Sequence, residues 1–335
     1  MVFELLKLLA DGKFHSGEAL ASSLNVSRTA IWKMIPHIRE FGLELHSVKG
    51  KGYRLLEVLD LLDRNTLLQN MPPAIQRKIS RLEIFPTIDS TSSYMMQQAQ
   101  ARQLSLGDGK VGICLAEQQT SGRGRRGRTW VSPFGHNLYL TVAREFENGL
   151  SELEGLSLVV GLALIRVLTA RGYQDLGIKW PNDVLWRGRK LAGILIEISG
   201  DPTGLTQVMI GVGLNIKAAK GVMQEVDQPW TDLHSINARL PERNALAAEL
   251  LGEIIGMMES FESAGFSAFR SEWHNSDILL NRDIELLTGA SGSGRITGKA
   301  LGVNEHGALL MKTGEGIQTF HGGEVSPRVL DHDSA

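Results

Sequence analysis

In the first sixty residues, apolar positions recur at helical spacing between polar stops. Val2 to Leu9 forms one such run, and Gly12 is placed to end it. Ser16 is a good N-cap for a second helix, Gly17 to Ser23, with Ala19, Leu20 and Leu24 on one face. After the turn Leu24-Asn25-Val26, Ser27 caps a third helix in which Ile31, Ile35 and Ile38 share a face. Pro36 lies well inside that helix, so a kink or a displaced second half is expected. Gly42 closes it, and Leu43 to Tyr53 reads as a hairpin with Lys49-Gly50-Lys51-Gly52 at its tip. Helix, turn, capped helix and basic hairpin make the pattern of a winged helix-turn-helix.

From about Arg64 to Phe269, strand-like and helix-like stretches alternate. Ile84 to Ile88 is extended, and Asp89-Ser90-Thr91-Ser92-Ser93 opens a helix toward Arg102. Val111 to Ala116 is an apolar strand, and Leu153 to Thr169 a long apolar helix. Three further strands follow. Gly177 to Val184 turns at Pro181, Arg189 to Glu197 begins with cations, and Met209 to Ile216 carries two glycines that suit a close approach. Beyond about Ser276, Asp283 to Leu287, Arg295 to Val303 and Ala308 to Met311 are separated by glycine turns, which predicts a small antiparallel barrel.

The 335 residues suggest two or three domains, and the net charge near −2 means that nucleic acid can only be met by a local patch. Such a patch exists: between Asn25 and Arg54 there are six Lys or Arg against two Glu. Ser27, Arg28, Thr29, Trp32 and Lys33 at the start of the third helix would face base edges, and Lys49 and Lys51 of the wing would face phosphates. A three-helix interaction domain that never meets DNA fits the same pattern. The one cysteine, Cys114, sits in an apolar run and reads as a buried inert thiol. The N-terminus lacks a signal-sequence pattern, and the longest apolar stretch, about thirteen residues from Leu156 to Leu168, is too short to span a bilayer. A reducing cytoplasm and no membrane partner are expected.

The most distinctive chemistry is Gly122-Arg123-Gly124-Arg125-Arg126-Gly127-Arg128, whose four arginines and three glycines cannot fill a core. Glycines admit a ligand close to the backbone, and guanidinium forks suit phosphate or carboxylate. A solvated basic loop is the other reading. The run also spells the dinucleotide fingerprint, but that motif must open a helix. Here Thr129-Trp130-Val131-Ser132-Pro133 follows, which reads as strand and turn. The hydroxyls Ser90, Thr91 and Ser92 either cap a helix or bind a small polar head group. Lys190 at a strand start is ordinarily a solvated end. The polar stretch Lys217 to Pro229 before Trp230 has the form of a ligand lid ending in an aromatic anchor. No Walker A, zinc-protease or paired-cysteine motif is present, and the nine histidines are scattered.

Taken together and in order, Asp89-Ser90-Thr91, Gln119 with Gly122 to Gly127, Lys179-Trp180-Pro181-Asn182-Asp183, Lys190-Leu191-Ala192-Gly193 and Gly211-Val212-Gly213-Leu214-Asn215 resemble biotin–protein ligases. With the winged helix, the chain resembles the bifunctional kind that also represses transcription. It departs from the family's usual pattern in having Ser92 after Ser-Thr and Thr120 after Gln119.

The resemblance implies an α+β multidomain fold: a winged helix-turn-helix over residues 1–60, a class II synthetase-like α/β ligase domain with a mixed sheet over 64–270, and an SH3-like β-barrel over 275–330. It implies a biotin–[acetyl-CoA-carboxylase] ligase that makes biotinyl-5′-AMP from biotin and ATP with Mg²⁺. The biotinyl group then passes to a lysine of biotin carboxyl carrier protein. Ser90, Thr91, Ser92, Gln119, Arg123, Gly124, Arg125 and Lys190 would hold biotin and its adenylate. Arg123, Trp230 and Asn215 would hold the nucleotide. Lys190, Arg125 and Asp183 would act in catalysis, with Asp183 also the candidate for positioning the metal. The resemblance further implies adenylate-linked homodimerisation and operator binding. Two other functions remain open on the sequence: a biotin-sensing repressor without catalysis, and a lipoate- or octanoate-transferring relative.

Overall fold

The computed structural model describes residues 1–146, 153–200, 205–217, 226, 228–288, 294–322 and 326–330. The chain opens with α1 (Val2–Leu9), α2 (Gly17–Ser23) and α3 (Arg28–Arg39), followed by the hairpin β1 (Leu45–Val48) and β2 (Gly52–Leu55). Ser16 and Ser27 cap α2 and α3, their hydroxyls accepting from the amides of Ala19 at 3.0 Å and Ala30 at 3.2 Å. The small core joins Leu5, Leu6 and Leu9 to Leu20, Ile31, Ile35 and Ile38. In α2 the inward residues are Leu20 and Ala21, whereas Ala19, expected inside, is exposed. The inward stripe is Leu20 and Ala21 with half-buried Leu24. Pro36 does not break α3, which runs as one element to Arg39 with Ile35 and Ile38 anchored on either side of it. Val48 pairs with Gly52, so Lys49 to Lys51 form the wing tip.

The central unit comprises α4 (Arg64–Gln69), α5 (Pro73–Gln76), β3 (Ile79–Phe85), α6 (Thr91–Gln100), β4 (Val111–Ala116), β5 (Leu138–Phe146), α7 (Leu156–Ala170), β6 (Leu176–Lys179), β7 (Asp183–Trp186), β8 (Arg189–Gly200), β9 (Thr206–Leu214), α8 (Leu233–Ile236), α9 (Arg243–Ala264) and α10 (Arg270–Ser276). Its seven strands lie in the order β3-β4-β5-β9-β8-β7-β6. The β3–β4 pair is parallel and the other pairs are antiparallel, so the sheet is mixed. Both faces are covered, which explains why β4 is buried at every position. Ile113, Leu115, Leu140 and Val142 point toward α7 and α9. Alternate residues Cys114, Ala143 and Met209 meet Met95 and Ala99 of α6.

Two helix ends differ from the pattern reading. The helix α7 starts at Leu156, not Leu153, because Gly155 (φ +81°) turns the chain against the Phe266 ring, where a Cβ would collide. The helix α6 stops at Gln100, short of Arg102, which adopts φ +54°.

Strands β10 (Asp283–Thr288), β11 (Gly294–Val303), β12 (Leu309–Thr313), β13 (Gly316–Phe320) and β14 (Ser326–Val329) make a separate antiparallel sheet ordered β13-β12-β11-β10-β14. It bends at a register shift between Ala300 and Val303. Among the described residues no helix is long and apolar enough to cross a membrane.

The segment after the wing is fastened to the start of α9. The Arg243 guanidinium donates to the Asp60 carbonyl at 2.6 Å and the Asn137 carbonyl at 2.8 Å, and pairs with Glu117 at 2.8 Å. The Asn244 side chain donates to the Leu61 carbonyl at 2.9 Å and accepts from the Asp63 amide at 2.8 Å. Phe134, from the loop before β5, is part of the N-terminal core and packs on Phe41 with ring centroids 4.6 Å apart. The helix-turn-helix unit is thereby docked on the same loop that borders the central cavity.

Candidate active site

A cavity of about 480 Å³ opens over the middle of the central sheet. Ser90, Thr91, Ser92, Gln119, Arg123, Gly124, Arg125, Asp183 and Lys190 all line it, so the structure brings together every residue expected to hold biotin or to react. Asn215 and Trp230, expected at the nucleotide, are not among its lining residues, though Trp230 pairs with Lys190, which is.

One end is a network of hydroxyl and amide groups. Ser90 is the N-cap of α6, and Ser90, Thr91 and Ser92 are all buried. The Gln119 carbonyl oxygen accepts from the Thr91 amide at 2.9 Å and the Thr91 hydroxyl at 3.1 Å. Thr141 of β5 donates to Thr91 at 2.9 Å and lies 3.1 Å from the Ser92 hydroxyl. On the other side of Gln119, its amide donates to Ser132 at 3.1 Å. Buried polar groups so connected hold one arrangement, which suits recognition of a compact uncharged polar group at a helix N-terminus. Val131, Leu195 and the Trp130 ring give the cavity its apolar lining.

The close approach of the sheet to the loop depends on missing side chains. A Cβ on Gly213 would collide with the Trp130 ring, and one on Gly193 would lie 2.9 Å from it. A Cβ on Gly211 would lie 2.7 Å from the Ser92 hydroxyl. These glycines create the space beside β8 and β9 that the ring and the hydroxyl network occupy.

The opposite end is cationic: among the described residues, Arg123, Arg125, Arg126, Arg128, Lys179 and Lys190 line the cavity against one carboxylate, Asp183. The glycine–arginine run is a loop with a single 3-10 turn at Arg125–Gly127. Arg126 (φ +57°) and Gly127 (φ +72°) reverse the chain, and Gly124 donates its amide to the Arg128 carbonyl at 2.7 Å. No helix opens after the glycines, which removes the dinucleotide reading on geometry as well as on sequence.

Arg125 donates to the Asn182 side-chain oxygen at 3.0 Å and to the Gly322 carbonyl of the C-terminal sheet unit. Its burial lowers the guanidinium's pKa, and Asp183 opposes that shift. Arg123 turns outward enough to pair with Glu197 at 2.6 Å. Lys190 pairs with Asp183 at 2.9 Å and lies 5.3 Å above the Trp130 ring.

Lys179, Trp130 and Asn182 are among the further lining residues to which the sequence reading assigns no role. Burial pushes Lys179 below the usual lysine range; Asp183 opposes this, while Lys190, Arg128 and Arg328 add to it. A signal for Lys179 is present in the sequence, since it ends an apolar strand in which a charge needs a reason. Trp230 forms a bridge with Lys190: the Lys190 amide donates to the Pro229 carbonyl, and the Thr231 amide donates to the Lys190 carbonyl, both at 2.9 Å. Asn215 is buried and donates to the Thr231 carbonyl at 3.1 Å, while its own Oδ1 has no hydrogen-bond partner among the described residues. Of the expected lid, residues 218–225 and 227 lie outside the described residues.

The helix-turn-helix residues form a different surface. Ser27, Arg28, Thr29, Trp32 and Lys33 are exposed at the start of α3, and Lys49 and Lys51 are exposed on the wing. Among the described residues no group of three His, Cys, Asp or Glu is arranged to hold a metal.

Known proteins share this arrangement. Residues 84–215 match the Biotin/lipoate A/B protein ligase family, residues 2–54 an HTH domain, and residues 279–328 the Biotin protein ligase C terminal domain. The chain is 38% identical to the bifunctional ligase/repressor BirA of Escherichia coli, over 97% of this chain and 96% of that protein. It is 32% identical to the biotin–[acetyl-CoA-carboxylase] ligase of Paracoccus denitrificans, over 68% of this chain and 95% of that one. The biotin protein ligase of Aquifex aeolicus in complex with biotin and ATP superimposes with a TM-score of 0.62 at 29% identity, covering 76% of this chain and all of that one. With a helix-turn-helix unit, a mixed-sheet ligase unit and a C-terminal antiparallel sheet in the same order, this chain belongs to the bifunctional ligase/repressor family of biotin protein ligases.

Proposed function

We propose that the cavity binds biotin and ATP, joins the biotin carboxylate to the α-phosphate with release of pyrophosphate, and transfers the biotinyl group from biotinyl-5′-AMP to a lysine of biotin carboxyl carrier protein. The observation that carries this reading is the polarity of one cavity. A neutral hydrogen-bonding network around Thr91 and Gln119 closes one end, and at the other Arg125, Lys179 and Lys190 act on Asp183 within a cation-lined wall. That matches a ligand with an uncharged polar ring, an apolar chain and an anionic tail that meets a phosphate.

In this reading Ser90, Thr91, Ser92 and Gln119 hold biotin's polar ring and orient its chain. Arg123, Gly124 and Arg125 close over the adenylate, with guanidinium donors on the phosphate. Lys190 spans the reacting carboxylate and phosphate and neutralises the charge that both steps concentrate there. Asp183, already 2.9 Å from Lys190, receives the proton of the incoming lysine amine. Asn215 and Trp230 serve the nucleotide, and the Asn215 oxygen, without a hydrogen-bond partner among the described residues, is an acceptor for a base donor. A Mg²⁺ ion is usually held by one or two carboxylates plus substrate phosphates, and Asp183, the one carboxylate among the described lining residues, fits that donor set beside an anion site. When bound, it would neutralise phosphate charge.

The same reading assigns residues 1–60 to operator binding through Ser27, Arg28, Thr29, Trp32, Lys33, Lys49 and Lys51, residues 64–270 to catalysis, and 275–330 to its support. Biotinyl-5′-AMP acts as corepressor by favouring a homodimer, and the protein works in the cytoplasm. Incubating the chain with biotin, ATP, Mg²⁺ and a purified biotin carboxyl carrier domain tests the transferase step. A mass gain of one biotinyl group on the carrier is expected, and an unmodified carrier alongside bound biotin would leave only a sensing repressor.

A further inference from the structure

Among the six tryptophans of this chain, Trp32 alone is largely exposed, at 66%. It sits in the second turn of α3, whose Ile31, Met34, Ile35 and Ile38 face the core. Exposing an indole forgoes the burial that would otherwise stabilise the fold, so a large exposed aromatic on a helix asks for a partner. Elsewhere this protein covers its accessible rings with cations: Lys51 and Arg54 lie over Phe14, and Arg187 and Arg189 over Trp186. Among the described residues no ring or cation contact engages Trp32 in this way.

Pro36 is one turn further along the same helix and is also exposed. Residues four apart share a helix face, so the indole and the pyrrolidine ring stand together about 5–6 Å apart at their Cβ atoms. The exposed charges on the same helix are mixed, with Arg28 one turn before the indole (3.9 Å from Glu18), Lys33 beside it and Glu40 one turn after Pro36. Lys49 and Lys51 stand exposed at the wing tip. An apolar protrusion on a unit with six Lys or Arg against two Glu between Asn25 and Arg54 suits a polyanion that displays apolar groups in a groove. Duplex DNA meets that description through the thymine 5-methyl group, the one apolar feature of base edges in the major groove.

We propose that Trp32 and Pro36 form an apolar wedge that reads thymine 5-methyl groups in the major groove. This rests on the DNA-binding reading of the helix-turn-helix unit. The wedge supplies sequence preference, while Arg28, Lys33, Lys49 and Lys51 supply the phosphate attraction that carries no sequence information. Helix pitch and base-pair rise, about 5.4 Å and about 3.4 Å, let the two rings reach neighbouring base steps.

The test uses the full chain with biotin, ATP and Mg²⁺ present. Duplexes are selected from a randomised library, and the tightest is resynthesised with deoxyuridine replacing thymine one position at a time. For the unaltered protein, loss of a methyl at one or two positions should weaken binding about three- to four-fold each, the value of one buried methyl group. The Trp32→Ala variant should bind the thymine duplex correspondingly less well and become indifferent to the uracil change. Its dependence on salt should be unaltered, whereas Lys49→Ala should flatten that dependence. The side chain is exposed, so folding is not at stake. Equal methyl sensitivity in the Trp32→Ala variant and the unaltered protein overturns the proposal. So does unaltered DNA affinity in Trp32→Ala, which would assign the wedge to a protein partner. Failure of any duplex to be enriched overturns the DNA-binding reading itself, and the wedge with it.

Discussion

Replacing Arg243 by methionine should be among the most damaging single changes to this protein. Arg243 is 4% exposed, and the Glu117 carboxylate it pairs with at 2.8 Å is fully buried. Methionine keeps much of the volume but removes the charge and the donors to the Asp60 and Asn137 carbonyls. Glu117 keeps the Leu62 amide as a donor, but its countercharge is gone. Breaking a buried pair in this one-sided way costs about 3–5 kcal/mol, against a total stability on the order of 5–15 kcal/mol. At a urea slope of about 3 kcal/mol per molar, the unfolding midpoint should fall by about 1 M or more. Removing both charges, as Arg243→Met with Glu117→Leu, should recover a large part of the loss, because no uncompensated carboxylate remains. The assay is urea unfolding followed by fluorescence and far-UV circular dichroism together. A cost below about 1 kcal/mol, or a double variant no better than the single one, would refute the reasoning. Glu117 also precedes Gln118-Gln119, and its carbonyl accepts from Gly135 at 3.0 Å. Biotin affinity should therefore drop in the single variant.

The remaining expectations concern the cavity and the domain junction. Lys190→Gln should slow adenylate formation by on the order of 10²-fold, the usual consequence of losing one preorganised donor at developing charge, while biotin still binds. Gly213→Ala should push the Trp130 ring into the cavity, costing about 1–3 kcal/mol of stability and weakening biotin binding. Combining it with Trp130→Leu should relieve the clash, and no relief would count against this packing. The pKa of Glu57, in the segment after the wing, is lowered from 4.5 to about 2 by hydrogen bonds from His136 and Lys217, despite partial burial. A carboxyl depressed on folding contributes stability that is complete above about pH 4.5 and lost as pH falls through about 2. The gap in urea midpoint between the unaltered protein and Glu57→Gln should be level from neutral pH to about 5 and shrink below it. A gap that widens on acidification would contradict the assignment.

How much of the fold and the cavity is legible in the sequence depends on the range of the interaction. Local signals serve well: serine caps and apolar spacing place α1 to α3, and the glycine–lysine run places the wing tip. The cavity residues are legible because glycines and cations cluster in short runs whose chemistry has few other uses. Pairings distant in sequence are not. Nothing local links Glu117 to Arg243, or Arg125 to the carbonyl of Gly322. Trp130 and Trp230 look alike as aromatics near motifs, but only packing against Gly213 puts Trp130 in the cavity wall, while Trp230 is drawn into a bridge with Lys190. Pro36 shows the converse, since its local rule predicts a kink or displacement, whereas core contacts on both sides of it keep α3 one element.

The central claim is that one cavity activates a biotin carboxylate with ATP, and pyrophosphate exchange measures that step alone. With ATP, Mg²⁺ and labelled pyrophosphate, label should enter ATP only when biotin is present, and lipoate or octanoate should not replace it. Exchange should slow by on the order of 10²-fold in Lys190→Gln. Biotin that binds without supporting exchange, or exchange driven as well by lipoate, would contradict the account.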